Sequence, residues 1–272
     1  MTRIFCFILI AYMAKIDIKE SNSTSLARLA WLWLCICLHV LSGVFVLLIF
    51  FPFISSDSKK FHIQAWSSKL LVIFGIELKV NNPEILSSNS YLLASNHISW
   101  MDIHAINSFK PIRFVAKSEV ANWPIFGWMA KQLGTVFIER ANSRHAHIVV
   151  GEMARTLNKE PICIFPEGTS TNGESVRPFK SNLFESAIAA NVPLNSLAIR
   201  YLSKVTNKRS EAPAFVGEMT LLDSMNLILN NRNLIVELTF FSTFDISPSN
   251  PVDRKWLAVH SHDQISQFLT KN

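Results

Sequence analysis

Four cysteines in 272 residues are too few and too scattered for a disulfide framework or a zinc site. Cys6 lies in a short apolar run, Cys35 and Cys37 in a longer one, and Cys163 stands alone in the body of the chain. No metal is expected. There is no Gly-x-x-x-x-Gly-Lys loop to cradle nucleotide phosphates, so the chain has no means of activating a free carboxylate with ATP. There is no Gly-x-Ser-x-Gly elbow, which removes the usual serine-hydrolase reading. Internal repeats and low-complexity tracts are missing too, so one principal domain is expected. The net charge of +6 and pI near 9.2 suit an anionic partner, either an acidic membrane surface or a phosphorylated substrate. No basic-aromatic module accompanies that charge, and no nucleic-acid partner is expected.

Charge itself is absent from one long stretch. From Leu29 to Ile54 no residue carries a formal charge, and only His39, Ser42 and Pro52 interrupt the apolar pattern. As one helix this run reaches roughly 39 Å, more than the roughly 30 Å hydrocarbon core of a bilayer, so it spans with tilt or lies partly in the interface. It accounts for much of the 49% hydrophobic content, which is high for a soluble enzyme. Ile4 to Met13 has the outline of a signal peptide after Arg3, without a small-residue cleavage site. Lys15, Lys19 and Arg28 precede the long run and Lys59, Lys60 and Lys69 follow it, so charge asymmetry does not set its orientation. The expected organisation is a membrane-anchor region over 1–60 and a catalytic domain over 61–272.

Beyond the anchor, Phe61 to Phe74 reads as an amphipathic helix lying against lipid. Seven short β-rich runs follow: Ile76 to Val80, Tyr91 to Ser95, Ile112 to Ala116, Thr135 to Ile138, Ile162 to Phe165, Leu197 to Tyr201 and Leu234 to Phe240. Helical stretches at Pro124 to Leu133 and Ser143 to Lys159 lie between them, the first opened by proline and the second by Ser143 as N-cap. This alternation predicts an α/β fold, a mixed sheet flanked by helices with an N-terminal membrane-anchoring helix.

Chemistry collects where strands of such sheets end. Directly after the second β run comes Ser95-Asn96-His97-Ile98-Ser99-Trp100-Met101-Asp102. If a helix starts near Ser99, Asp102 sits in its first turn, within reach of one imidazole nitrogen of His97, and the other nitrogen is left as a base. That pair has no serine nucleophile beside it. It suits a reaction whose nucleophile is a substrate hydroxyl: His97 removes the proton while Asp102 fixes the tautomer and stabilises the imidazolium. Three further blocks follow in order, each at a strand end: Gly134-Thr135-Val136-Phe137-Ile138-Glu139-Arg140, then Phe165-Pro166-Glu167-Gly168-Thr169, then Val192-Pro193.

The ordered set resembles the four motifs of the glycerolipid acyltransferase family, which includes 1-acylglycerol-3-phosphate acyltransferases, over roughly Phe61 to Phe241. The resemblance implies that His97 is the general base and Asp102 its orienting partner. It implies that Arg140, on a strand shaped by Gly134 and Phe137, holds the anionic head of a lysolipid acceptor. Glu167, Gly168 and Thr169 complete that pocket, and Lys117 is a second anion contact. The implied activity is O-acyl transfer in phospholipid biosynthesis. The donor is then an acyl thioester, acyl-CoA or acyl-carrier protein, used as co-substrate with no cofactor. The implied surroundings are membrane lipid, at the inner membrane of a bacterium with the catalytic domain cytoplasmic. An oxyanion stabiliser is also needed, with backbone N–H groups near Gly168 or in the His97 turn as the candidates.

The pattern departs from phosphatidate-forming members in one place. After Lys180 they usually continue with a basic residue and glycine, whereas here Ser181-Asn182-Leu183-Phe184 follows. Phe215-Val216-Gly217-Glu218-Met219 resembles a segment of members that acylate lyso-ornithine lipids, which makes that lipid the alternative acceptor. The alternative of another class is an inactive membrane protein retaining the fold, against which stand the intact His97, Asp102, Arg140 and Glu167.

Overall fold

The computed structural model describes residues 24–86, 89–139, 143–247 and 252–271, the side chains of 143–146 excepted. The short apolar run at 4–13 therefore lies outside the described residues. The chain folds as a seven-stranded sheet between helical layers, the architecture expected from the sequence.

Helix α1, Leu26–Ile49, opens at Ser25, whose hydroxyl accepts from the Arg28 N–H at 3.3 Å. It stops five residues short of the charge-free run, because the chain turns through Phe50 to Ile54 around Pro52. The single segment expected over Leu29 to Ile54 is thus a 24-residue helix followed by a turn, roughly 36 Å rather than roughly 39 Å long. Leu26–Ile49 is long and apolar enough to cross a membrane. Its residues at 32, 36, 39, 43 and 47 form a buried stripe at helical spacing. Leu34, Leu38, Leu41, Phe45 and Leu48 are exposed.

Helix α2, Ser56–Phe74, begins earlier than the amphipathic stretch read from sequence. It buries Ser67, Leu70, Leu71 and Phe74 and leaves Phe61 and Val72 exposed. It ends at Gly75, whose left-handed φ of 70° lets the chain turn directly into the sheet. α1 docks on it closely: a Cβ on Gly43 would come within 2.7 Å of the Trp66 indole nitrogen. The His39 ring stacks on Trp66 at 4.4 Å, and the Trp66 indole N–H donates to the His39 carbonyl at 3.1 Å.

The strands are β1 Ile76–Asn81, β2 Leu92–Ser95, β3 Arg113–Lys117, β4 Val136–Ile138, β5 Ile162–Ile164, β6 Leu194–Ser203 and β7 Leu234–Phe240. Their order is β1-β7-β6-β2-β5-β3-β4, all pairs parallel except β6 with β7. α3 Met101–Phe109 follows β2, α4 Phe126–Gln132 follows β3, and α5 Ser143–Leu157 follows β4. α6 Glu185–Ala190, α7 Leu221–Asn230 and α8 Arg254–Lys271 complete the helices.

The central strands β2, β5 and β6 are largely apolar and almost wholly buried because both faces are covered. Leu93, Cys163 and Leu197 face one core with residues of α1, α2, α3 and α7. Leu92, Ala94, Ile162 and Ile164 face the other with residues of α5, α6 and α8. β2 and β5 are parallel neighbours with Ala94 opposite Ile164, so the loops carrying His97 and Glu167 leave the sheet side by side.

One ion cluster locks the antiparallel register. Glu237 of β7 lies opposite Arg200 of β6, is buried, and bonds the Arg200 guanidinium, Lys79 Nζ at 2.8 Å and Asn81 Nδ2 at 3.0 Å. Burial pushes its carboxyl pKa up, but the bonds from Lys79, Asn81 and Arg200 outweigh burial and hold it at about 2. With the folded value below the ordinary 4.5, the cluster stabilises fully above about pH 4.5, and that contribution drains away as pH falls toward 2. Glu237→Gln is expected to destabilise the protein by about 2 kcal/mol at pH 7, Lys79 being too exposed for a larger effect. In thermal unfolding across pH, the gap to wild type should close toward pH 2–3; a gap independent of pH would contradict the assignment.

Candidate active site

β2 ends at Ser95, and the next residue continues the sheet with its side chain. The Asn96 amide donates to the Ile199 carbonyl at 2.9 Å and accepts from the Ile199 N–H at 2.7 Å, imitating a strand pair and clipping the loop to β6. The chain then turns sharply, and α3 begins at Met101 with Asp102 in its first turn. The favourable end of the helix dipole adds to what holds a negative charge there.

Asp102 is fully buried. Its Oδ2 accepts from the N–H groups of Ile98 at 2.8 Å and Ser99 at 3.0 Å, and lies 2.8 Å from His97 Nδ1. Its Oδ1 accepts from the Tyr201 hydroxyl at 2.7 Å. With Nδ1 held by a carboxylate, Nε2 is the ring nitrogen left to act as a base. The His97 side chain keeps 22% of its surface exposed, enough for a substrate to reach it.

The loop after β5 builds the other wall. Phe165 stacks on the His97 ring at 4.1 Å and 18°. Glu167 places one carboxylate oxygen 2.7 Å from the His97 backbone nitrogen and the other 2.8 Å from that of Arg177, accepting from both N–H groups. Burial raises its pKa, with those two N–H donors and His97 pulling the other way. The Thr171 N–H closes the arrangement by donating to the His97 carbonyl at 2.8 Å. Glu167 therefore ties the His97 turn to the loop behind it.

The other residues singled out from sequence sit at neighbouring strand ends. Gly168 adopts φ 79° and donates its N–H to the Phe165 carbonyl at 3.0 Å; Thr169 follows it, half-buried. Gly134 has φ 74°, and a Cβ there would lie 2.6 Å from the Arg113 guanidinium, so it shapes the turn into β4. Lys117 is exposed at the end of β3, opposite Ile138 at the end of β4. Arg140 lies outside the described residues. Of the backbone groups considered for an oxyanion, the N–H groups of Gly168, His97, Ile98 and Ser99 are engaged by Phe165, Glu167 and Asp102.

A pocket of about 130 Å³ opens beside Phe165, between the ends of β3 and β4 and the 3-10 turn Ser181–Phe184. Val115, Ile138, Phe165 and Leu183 give it apolar walls, and Lys180 and Asn182 add polar groups. Asn182 and Leu183 belong to the segment that departs from the phosphatidate-forming pattern. The second departing segment also touches the site: the Phe215 N–H donates to the Ile98 carbonyl at 2.9 Å, and the Ser170 hydroxyl donates to the Phe215 carbonyl.

Sequence reasoning missed Asn96 and Tyr201. Asn96 was legible as an amide next to a strand end. Tyr201 is 99 residues from Asp102, and nothing local to it announces the contact.

Residues 77–200 match the family model described as Acyltransferase. The chain is 33% identical over 180 residues to a 1-acyl-sn-glycerol-3-phosphate acyltransferase of Neisseria gonorrhoeae, covering 66% of this chain and 70% of the relative. It is 33% identical over 205 residues to a lyso-ornithine lipid O-acyltransferase of Pseudomonas aeruginosa, covering 75% and 76%. Among solved structures, the 1-acyl-sn-glycerophosphate acyltransferase PlsC of Thermotoga maritima superposes with a TM-score of 0.57 at 18% identity, over 86% of this chain and 96% of that one.

Glu167→Ala leaves the N–H groups of His97 and Arg177 without their acceptor, at a cost on the order of 1–3 kcal/mol for each that stays buried. Turnover is expected to fall at least about tenfold through misplacement of His97, with acceptor KM little changed. A loss confined to acceptor KM in steady-state kinetics would instead put Glu167 on the acceptor.

Proposed function

Because this chain belongs to the acyltransferase family, we propose that it moves a fatty acyl group from a thioester donor to the free hydroxyl of 1-acyl-sn-glycerol 3-phosphate. It is an O-acyltransferase that works in association with membranes. The observation that carries the mechanism is the 2.8 Å contact between His97 Nδ1 and the buried Asp102 carboxylate at the end of β2.

His97 Nε2 takes the proton from the acceptor hydroxyl as its oxygen attacks the thioester carbonyl. The tetrahedral intermediate then collapses with loss of the thiolate, which recovers that proton from the imidazolium. Asp102 holds the ring in the tautomer with the proton on Nδ1 and stabilises the cation between the two steps. The acceptor brings its own nucleophile, so the protein needs none. Arg140, following the end of β4, and Lys117, at the end of β3, are the cations assigned to the acceptor phosphate, through charge-assisted hydrogen bonds.

The donor is acyl-CoA or acyl-carrier protein; both are acidic, which suits the charge of +6. Both are made in the cytoplasm, which supports a catalytic domain on the cytoplasmic side of a bacterial inner membrane. The exposed stripe of α1 is the surface assigned to membrane lipid. Lyso-ornithine lipid is the second reading for the acceptor. It is favoured by the contact of Phe215 with the His97 loop, which brings the Phe215 to Met219 segment against the site.

The test is acyl transfer by detergent-purified protein from labelled acyl-CoA and acyl-carrier protein, with lysophosphatidate and lyso-ornithine lipid offered in parallel. His97→Ala is expected to lower turnover by about 10²–10⁴. Turnover close to wild type would end the mechanism, and transfer to lyso-ornithine lipid alone would replace the acceptor. Arg140→Ala is expected to raise KM for lysophosphatidate by about tenfold or more while leaving donor KM alone. An unchanged acceptor KM would remove Arg140 from the head-group site.

A further inference from the structure

The Asp102 carboxylate has two unequal sides. Oδ2 receives two backbone N–H bonds and faces the His97 ring, all from within six residues of chain. Oδ1 receives the hydroxyl of Tyr201, its partner among the described residues, from β6, the strand paired with β2. Tyr201 is 1% exposed, and the Asn96 clip at Ile199 and the Arg200–Glu237 pair hold its part of β6 against the loop.

We infer that Tyr201 is a positioning residue for acyl transfer: its hydroxyl fixes the plane of the Asp102 carboxylate and, by sharing its charge, lowers the basicity that Asp102 confers on His97. This rests on the reading of His97 as the base. A carboxylate held by backbone bonds on one oxygen alone still has a rotational freedom about that oxygen, which a bond to the second oxygen removes. A hydrogen bond to the second oxygen also stabilises the anion without the help of an imidazolium, so His97 loses its proton more readily. Burial and the Asp102 charge drive the phenol pKa well above the ordinary range, so Tyr201 remains a donor. Among the described residues, the other titratable groups facing the pair are Cys163 of β5, kept as a thiol by burial and by Asp102, and Glu167. Both are present in wild type and variant alike, so a difference between the two isolates Tyr201.

Tyr201→Phe keeps the ring and removes the donor. The protein contains eight histidines, and in full-length protein labelled at histidine ¹³Cε1 the His97 resonance is the one missing from His97→Ala. Its titration midpoint is expected to rise in Tyr201→Phe by roughly 0.5–1 pH unit, a fraction of a charged hydrogen bond. The acid limb of kcat/KM should move with it, so that activity one unit below the wild-type midpoint falls about three- to tenfold, with KM for both substrates unchanged. Placing 3-fluorotyrosine at 201 strengthens the donor and should move the midpoint the other way. A midpoint that stays still or falls in Tyr201→Phe overturns the inference, as does a loss of stability with an unmoved profile. Because the resonance reports on His97 without turnover, this result stays separate from the activity of His97→Ala, which judges the mechanism.

Discussion

A carboxylate taken fully out of water must be given hydrogen bonds in return, and Asp102 obtains its four from two separate parts of the chain. Left unpaired it would cost several kcal/mol, a large part of the margin by which a domain stays folded. The turn after β2 supplies two bonds and brings the His97 ring, and β6, the neighbour of β2, supplies the fourth. Those donors are in place only when β2 and β6 are paired and α3 has begun at the right residue. The requirement that buries the charge is thus also what assembles the site.

The same helix links the site to the anchor. Asp102 is at the start of α3; His104, two residues on, packs its ring against Trp66 of α2 at 5.4 Å, and Trp66 stacks on His39 of α1. Burial depresses the His104 pKa to about 3, so its ring stays uncharged through the physiological range. On its other side α1 is pinned to α7, where the Trp33 indole donates to Asn226 at 2.9 Å. One stripe of the apolar helix therefore belongs to the enzyme core while another is exposed.

What the sequence disclosed follows the range of the interactions involved. All seven strands were legible because each is a short apolar or alternating run bounded by polar turns, and burial on both faces made the central ones stand out. His97 and Asp102 were legible because the contact closes within five residues. The sheet order, the Glu167 clamp and Tyr201 depend on contacts tens to about a hundred residues apart, for which a local pattern carries no signal. α7 went unread although its Thr220–Asp223 capping box is written plainly in the sequence, and α8 has Asp253 accepting from the N–H groups of Lys255 and Trp256 at its start. The anchor was read as longer than it is because composition registers apolarity and not the break that Pro52 and its neighbours introduce.

β1 pairs along its length with β7, so the first strand of the sheet is edge-paired only by the last. About 150 residues separate them, which at roughly 5–20 residues per second takes a ribosome on the order of ten seconds to make. Through that interval β1 has no strand partner. The sheet therefore cannot close at its β1 edge until β7 has been made, so the order of synthesis and the order of strand pairing run opposite ways at this edge.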